Sequence, residues 1–164
     1  PLSLNDALQI YLKMIYKKTG SLIEASAGAA AVLAGKPEKA YLTYGRNLGL
    51  AFQMIDDILD ITQDAATLGK PALHDFAEGK TTLPYIYLYD ALSEEEKTKL
   101  ESLHARQLSG EEQYWIQSQM KKYQIIEKSY LEAKTLIEEA IALMRAQGED
   151  SLAGIAREMI EREF

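Results

Sequence analysis

Hydrophobic residues recur along this chain at intervals of three and four positions, and no stretch alternates steadily between polar and apolar residues. Such spacing is typical of amphipathic α-helices and not of β-strands. The predicted helices cover residues 5–18, 22–34, 38–61, 85–92, 94–105, 112–122, 125–147 and 152–162. Because neither an internal repeat nor a linker interrupts them, residues 1–164 are predicted to form a single all-α domain fragment.

Residues that start and stop helices support these boundaries. Ser21, Ser93 and Ser109 are each followed three positions later by Glu, which is the capping-box arrangement of a helix start. Gly35 and Gly148 follow the last periodic residue of their helices and are expected to end them. The segment 62–79 contains two glycines and a proline and is predicted to be a loop or a distorted helix end. Loops of that length are often functional.

Two of the predicted helices carry many small residues. Helix 22–34 is small or apolar on every side, so we expect it to be buried among other helices. Helix 38–61 has Gly45 and Gly49 one turn apart, and each costs up to about 1 kcal/mol relative to Ala, which indicates tight packing or room for a ligand.

Two other helices carry apolar stripes that are expected to face a core. The stripes are Leu4, Leu8, Tyr11, Leu12 and Ile15 on the first helix, and Tyr130, Ala133, Leu136, Ile137, Ala140, Ile141 and Met144 on helix 125–147.

Composition narrows the class of protein. The net charge is −7 and no Lys/Arg cluster is present, so a nucleic-acid-binding face is not expected. Without cysteines the chain forms neither disulfides nor a zinc–cysteine site. The longest apolar runs, 25–34 and 48–54, are too short for an integral membrane segment. The first residue is Pro1 and no signal peptide is evident, so we expect a chain that lacks an N-terminal part.

The segment from Phe52 to Asp60 places three carboxylates among residues that favour a core. Asp56 and Asp60 point within roughly 40° of each other on a helix, and Asp57 lies on an adjoining line. Like charges at this spacing repel one another, more strongly when they are partly buried, so a counter-charge is expected. Mg²⁺ suits hard carboxylate oxygens and is usually held by one or two of them with substrate phosphates. The alternative is an ordinary acidic stripe on a solvated helix, which the short pattern alone does not exclude.

Three lysines could bind phosphate groups beside these aspartates. Lys70 and Lys80 lie in the glycine-containing loop with Asp75 between them, and Lys18 precedes Thr19 at a predicted helix end. An ammonium group binds phosphate as a point charge. Each lysine alone is more typical of a solvated surface, but the combination with the aspartates indicates a site for a diphosphate with several Mg²⁺.

The order and spacing of these residues closely resemble the trans-prenyl diphosphate synthases, in particular the bacterial octaprenyl and heptaprenyl type. The family pattern runs G-x-x-F-Q-x-x-D-D-x-x-D, then G-K-x-x-G-x-D, then G-K-x-T-x-P. It is matched by Gly49, Phe52, Gln53, Asp56, Asp57, Asp60, Gly69, Lys70, Asp75, Gly79, Lys80, Thr82 and Pro84. The pair Lys18 and Thr19 resembles the family's upstream K-T segment, so the likeness covers about residues 11–90. The resemblance implies the C-terminal part of the isoprenoid-synthase helical bundle.

For function, the resemblance implies a cytoplasmic, Mg²⁺-dependent prenyltransferase that is homodimeric as a full-length protein. It would join an allylic diphosphate head-to-tail to isopentenyl diphosphate and release pyrophosphate. The metal ligands implied by the motif are Asp56, bound directly, and Asp57 and Asp60, which would hold metal-bound water or support the metal shell. The substrate-binding residues implied are Lys18, Lys70 and Lys80 at the diphosphate and Thr19 and Gln53 at the hydrocarbon and cation. The catalytic residues implied are Lys18, Thr19, Gln53 and Asp56.

The sequence departs from the family pattern in two places. Leu73 stands where the family has glycine, so we expect the loop to bend differently, and the role of Asp75 stays open. His74 beside it is more typical of a surface or packing histidine than of a catalytic one. The family's first Asp-rich motif and its Arg pair have no counterpart before Lys18. We therefore expect the C-terminal half of a synthase that is inactive alone, and product length is not predicted.

Two other functions share parts of this pattern. A non-catalytic helical partner or regulatory subunit could keep the same fold, although the intact lysines and aspartates argue against it. A terpene cyclase also has an Asp-rich helix. Its second metal motif of Asn/Asp, Ser/Thr and Glu is absent from the sequence, and the Gly-Lys loop stands instead.

Overall fold

The computed structural model describes residues 3–62 and 73–161, and within these two ranges the chain forms helices and no strand. The helices are α1 Leu4–Ile15, α2 Ser21–Leu33, α3 Glu38–Thr62, α4 His74–Ala77, α5 Leu83–Ala91, α6 Glu94–Leu103, α7 Gly110–Lys122, α8 Ile125–Ala146 and α9 Asp150–Ile160. A wide π-helical turn, Tyr16–Gly20, joins α1 directly to α2. The all-α prediction is therefore confirmed.

Local hydrogen bonds explain where α6 and α7 begin. The Ser93 hydroxyl accepts a bond from the backbone N–H of Glu96, whose carboxylate in turn accepts from the backbone N–H of Ser93. Ser109 and Glu112 make the same reciprocal pair at the start of α7. Each pair satisfies backbone donors that a helix start leaves without an intrahelical acceptor. Both predicted capping boxes are confirmed.

The predicted capping box at Ser21 is wrong, and the first predicted helix ends at Ile15 rather than at residue 18. Gly20 keeps helical φ and ψ angles of −58° and −42°, so the backbone stays helical through the π turn. The backbone N–H of Ser21 already bonds to the carbonyl of Tyr16, which leaves no helix start to cap. Glu24, the expected partner of Ser21, forms a bidentate ion pair with Arg46 instead.

The described residues form two compact units. Unit 1 contains those of Pro1–Tyr11 and Asp56–Tyr130, and unit 2 contains those of Leu12–Ile55 and Leu131–Glu163. The largest fully buried side chains of unit 1 are Tyr11, Ile58, Leu73, Leu83, Tyr85, Leu88, Ile116, Met120 and Ile125, and those of unit 2 are Ile15, Ile137 and Met144. The stripes predicted on the first helix and on α8 are confirmed, since every member is buried or half-buried.

Glycines allow α3 to approach its neighbours closely within unit 2. A Cβ atom added at Gly49 would lie 2.7 Å from the Cα of Gly20, and one at Gly45 would lie 2.6 Å from the carbonyl oxygen of Ile23. Real Cβ atoms essentially never make contacts this short. Of the two explanations offered for these glycines, tight packing is therefore the one that the backbone supports.

The prediction that α2 is buried on every side is wrong. Leu22 and Leu33 have 73% and 89% of their surface exposed. The buried side of α2 carries Glu24, Gly28 and Ala31. The described chain packs only against that side, so an apolar helix surface faces outward.

Candidate functional site

The aspartate cluster occupies the last two turns of α3, and its three members differ in burial. Asp57 and Asp60 are only 4% and 2% exposed, whereas Asp56 is exposed. Asp56 and Asp60 share one side of the helix, but the turn that begins α4 packs over Asp60. The backbone N–H of Asp75 donates to the Oδ2 atom of Asp60 at 3.0 Å. The helix therefore presents one carboxylate to solvent and holds two inside.

A tyrosine from α1 holds the second aspartate. The Tyr11 hydroxyl donates a hydrogen bond of 2.7 Å to the Oδ2 atom of Asp57, and the two residues are 46 positions apart in sequence. Burial raises the pKa of Tyr11 far above its ordinary value, and the charge of Asp57 raises it further. The phenol therefore stays a neutral donor throughout the range in which the carboxylate is charged.

Asp60 and Lys80 belong to one network in unit 1. Asp60 receives the backbone N–H of Asp75, and the Asp75 carboxylate accepts a bond of 2.9 Å from the Lys80 ammonium. Lys80 also lies 2.7 Å from Glu78. These bonds to Glu78 and Asp75 raise the pKa of Lys80 above its ordinary value. The ammonium is therefore fully charged, and the Lys80 side chain is 53% exposed. Asp75 links it to α3, because Asp75 bonds both to Lys80 and to Asp60.

Leu73 stands where the family pattern has glycine, and its backbone lies in a region that favours glycine. Its φ and ψ angles are 60° and 30°, in the left-handed region that costs other residues about 1–2 kcal/mol. The Leu73 side chain is fully buried, and its backbone N–H bonds to the carbonyl of Asp60 at 2.9 Å. Burial of the side chain offsets this strain.

Thr19 and Gln53 meet within unit 2. The Thr19 hydroxyl lies 3.2 Å from the side-chain oxygen of Gln53, which is 3% exposed. Thr19 and the exposed Lys18 both lie in the π-helical turn. Such turns are rare and frequently occur at functional sites. The two polar residues that the motif assigns to the hydrocarbon and cation are thus in direct contact.

Two tyrosines near the aspartates were missed by sequence reasoning. Tyr11 was predicted only as a member of an apolar stripe, and Tyr85 only as part of a helix. Tyr85 is 1% exposed and stacks on Phe76 with ring centroids 4.5 Å apart. Burial raises the pKa of Tyr85, and the charges of Asp60 and Asp75 raise it further. A tyrosine inside an apolar stripe is a usable signal, since its hydroxyl needs a partner when buried.

Some predicted features lie beyond what the structure describes or are not brought together in it. Lys70 and Gly69 lie outside the described residues. In residues 3–62 and 73–161, no three His, Asp or Glu side chains converge in a way that could hold a metal ion by themselves. His74 is at the surface, 3.1 Å from Glu78. No helix in the described part of the chain is long and apolar enough to cross a membrane.

Comparison with known proteins identifies the family. The model of the polyprenyl synthetase family matches residues 2–122, which is more than half of the chain. The chain therefore belongs to the polyprenyl synthetase family, and the resemblance drawn from the motifs is confirmed.

Individual relatives agree with this assignment. Heptaprenyl diphosphate synthase component 2 of Geobacillus stearothermophilus is 34% identical over 94% of this chain and 48% of its own length. Short chain isoprenyl diphosphate synthase of Methanothermobacter thermautotrophicus is 45% identical over 57% of this chain and 30% of its own. The crystal structure of octaprenyl pyrophosphate synthase from Helicobacter pylori superposes with a TM-score of 0.86 and 42% identity, covering 94% of this chain and 53% of that one. The chain thus spans about half the length of two of these relatives and less of the third.

Proposed function

We propose that this chain forms the diphosphate-binding part of a trans-polyprenyl diphosphate synthase. The enzyme would be a prenyltransferase that condenses an allylic diphosphate with isopentenyl diphosphate. The observation that carries the proposal is the difference in burial among the three aspartates of α3. Asp57 and Asp60 are held inside by Tyr11 and by the backbone of Asp75, while Asp56 is presented to solvent.

The donor set fits Mg²⁺ as the cation. Carboxylate oxygens are its preferred protein ligands, and Mg²⁺ usually takes one or two of them and completes its shell with water and substrate phosphates. Asp56 is the exposed carboxylate of the cluster and would hold such a cation together with phosphate oxygens. When bound, Mg²⁺ would neutralise charge on the departing diphosphate. Asp57 and Asp60 would bind water in its outer shell.

The chain's own side chains would do the remaining work on the substrate. Lys80, together with Lys18 and Lys70, would donate to diphosphate oxygens and stabilise the negative charge that develops when the allylic C–O bond breaks. Lys80 would exchange its bonds to Glu78 and Asp75 for the substrate. Thr19 and Gln53 would line the allylic cation, which the isopentenyl double bond attacks. The proton lost afterwards would pass to pyrophosphate.

The proposal includes the assembly state. Two of the relatives reported above are about twice as long as this chain, and the family's first Asp-rich motif has no counterpart in its sequence. The 164-residue chain would then supply one wall of the site and be inactive alone. The complete protein would work as a cytoplasmic homodimer, which sedimentation of the longest natural polypeptide containing this chain would test.

The direct test is Asp56→Ala in that complete polypeptide, assayed for Mg²⁺-dependent elongation with both diphosphates. We expect turnover to fall by roughly 10²-fold or more, since a group that stabilises transition-state charge is removed. Asp90→Ala is the matched control, because Asp90 is an exposed aspartate at the end of α5. Near-normal turnover of Asp56→Ala, with helix content unchanged, would remove Asp56 from the proposed metal site.

A second function has one specific observation in its favour. The Geobacillus relative is named component 2, a name that indicates an enzyme made of more than one component. The alternative is that this chain belongs to a non-catalytic or regulatory component. Under that alternative, the complete polypeptide would show no elongation with any allylic diphosphate. It would acquire activity only when a second, different chain is added.

A further inference from the structure

We propose that Tyr11 is a positioning residue for the diphosphate site, acting through Asp57. The inference deepens the proposed function and rests on it, since it assigns Tyr11 a task in cation binding. Tyr11 is buried, and its hydroxyl bonds to Asp57. Its role would be to fix the orientation of one carboxylate in the outer shell of the cation.

The geometry isolates this contact from bulk water. Tyr11 is 2% exposed and Asp57 is 4% exposed, and their oxygen atoms are 2.7 Å apart. This is the short distance typical of a hydroxyl that donates to a carboxylate. Tyr11 comes from α1 and Asp57 from α3, and both residues belong to unit 1, so the bond joins the two helices at the cluster itself.

A carboxylate needs such a partner to serve a cation. Rotation about the last side-chain torsion of Asp has broad, roughly two-fold minima, so the torsion alone does not fix where the oxygens point. The Tyr11 hydroxyl bonds to Oδ2 and thereby limits that rotation. Loss of a group in the outer shell of a metal typically lowers metal affinity 10- to 100-fold, and Tyr11 would act by orienting such a group, Asp57.

The competing explanation is that Tyr11 only fills the core and satisfies a buried acid. Unit 2 contains another buried tyrosine that bonds to a carboxylate, although this acid, Glu149, is 29% exposed and also pairs with Lys36. Tyr41 is 5% exposed, and its hydroxyl donates to a carboxylate oxygen of Glu149 at 2.9 Å. Glu149 belongs to no motif of the diphosphate site. Tyr41→Phe therefore removes a comparable bond without touching the aspartate cluster.

The test measures cation binding rather than turnover. Mn²⁺ is a paramagnetic ion that takes the same hard oxygen ligands as Mg²⁺. Its binding to the complete natural polypeptide that contains this chain is titrated by electron paramagnetic resonance in the presence of pyrophosphate, below the melting transition of each variant. We expect Tyr11→Phe to raise the Mn²⁺ dissociation constant roughly 10-fold. Tyr41→Phe is expected to leave it unchanged, and Asp57→Asn to raise it at least as much as Tyr11→Phe.

A second measurement does not depend on the folding of any Tyr11 variant. Tyrosines labelled with ¹³C at Cζ report on hydroxyl bonding, and the Tyr11 resonance is the one that Asp57→Asn displaces. Mg²⁺ with pyrophosphate should shift that resonance and leave the Tyr41 resonance in place.

Each result decides the question. Unchanged Mn²⁺ affinity in Tyr11→Phe or in Asp57→Asn would overturn the inference, as would equal losses in Tyr11→Phe and Tyr41→Phe or a Tyr11 resonance that does not move. Failure of the unchanged complete polypeptide to bind Mn²⁺ with pyrophosphate is a different outcome. It would remove the proposed metal site itself, and the role of Tyr11 with it.

Discussion

Replacing Gly49 by alanine tests whether the close approach of helices in unit 2 limits stability. A Cβ atom at Gly49 would meet the Cα of Gly20 at 2.7 Å and its backbone nitrogen at 3.3 Å. Both are backbone atoms, so relief requires the two segments to move apart. Gly154 in α9 is the matched control, because a Cβ atom there would meet nothing within 4 Å.

The expected magnitudes follow from two opposing effects. Alanine in place of glycine inside a helix stabilises it by about 1 kcal/mol, and this gain applies at both positions. Overpacking at Gly49 costs typically about 1–3 kcal/mol and applies only there. We therefore expect Gly154→Ala to stabilise the chain by about 1 kcal/mol and Gly49→Ala to destabilise it by up to about 2 kcal/mol. The difference between the variants isolates the packing cost, since the helix-propensity gain cancels.

Thermal unfolding followed by circular dichroism measures that difference. For a chain of this length, 1 kcal/mol corresponds to about 2–4 °C in Tm. The Tm of Gly154→Ala should therefore lie above that of the unchanged chain, and the Tm of Gly49→Ala should equal that of the unchanged chain or lie below it. Gly45→Ala is expected to have the lowest Tm of the three variants, because its Cβ atom would have three contacts at 3.0 Å or less. Equal stabilisation by Gly49→Ala and Gly154→Ala would refute the close approach of the two backbones.

The remaining predictions concern two ion pairs. The hydrogen bond from Arg106 lowers the pKa of Glu112 from 4.5 to about 2. Glu112 therefore stabilises the start of α7 fully above pH 4.5, and this contribution is lost as the pH falls toward 2. Carboxyl ¹³C titration should show this midpoint, and Arg106→Ala should return it toward 4.5; an unmoved midpoint would contradict the assignment. Arg46→Ala leaves the buried Glu24 without its bidentate partner and should destabilise the chain by about 1–3 kcal/mol in urea unfolding. Unchanged stability would show that water replaces Arg46 at no cost.

Sequence predicted the fold well wherever the determining groups are close along the chain. The capping boxes at Ser93 and Ser109 each need only four consecutive residues, and both form as expected. The same pattern failed at Ser21 because the segment before it remains helical through a π turn. Hydrophobic periodicity carries no information on such an insertion, and it also did not reveal that only one side of α2 is covered.

The sequence predicted which residue types form the site, but not which residues bond to the aspartates. The motif supplied Asp56, Asp57 and Asp60, but helical spacing did not indicate that the first is exposed and the other two are buried. That difference depends on Tyr11 and on the turn at Asp75, which are remote from the cluster in sequence. Long-range hydrogen bonds of this kind follow from the packing of helices, and no local pattern encodes them.

The π-helical turn Tyr16–Gly20 also constrains the length of the chain. It accommodates one residue more than a regular α-helix would in the same span. Deleting one residue there would leave a regular helix over the same span, with Ile15 in its present place. Adding a further residue would instead rotate Ile15 by about 100° and shift it by about 1.5 Å relative to α2. Ile15 is 1% exposed and would then leave the core of unit 2. Among relatives, single deletions are therefore expected to be tolerated in this segment, and insertions are expected to fall in connections such as the one between α6 and α7.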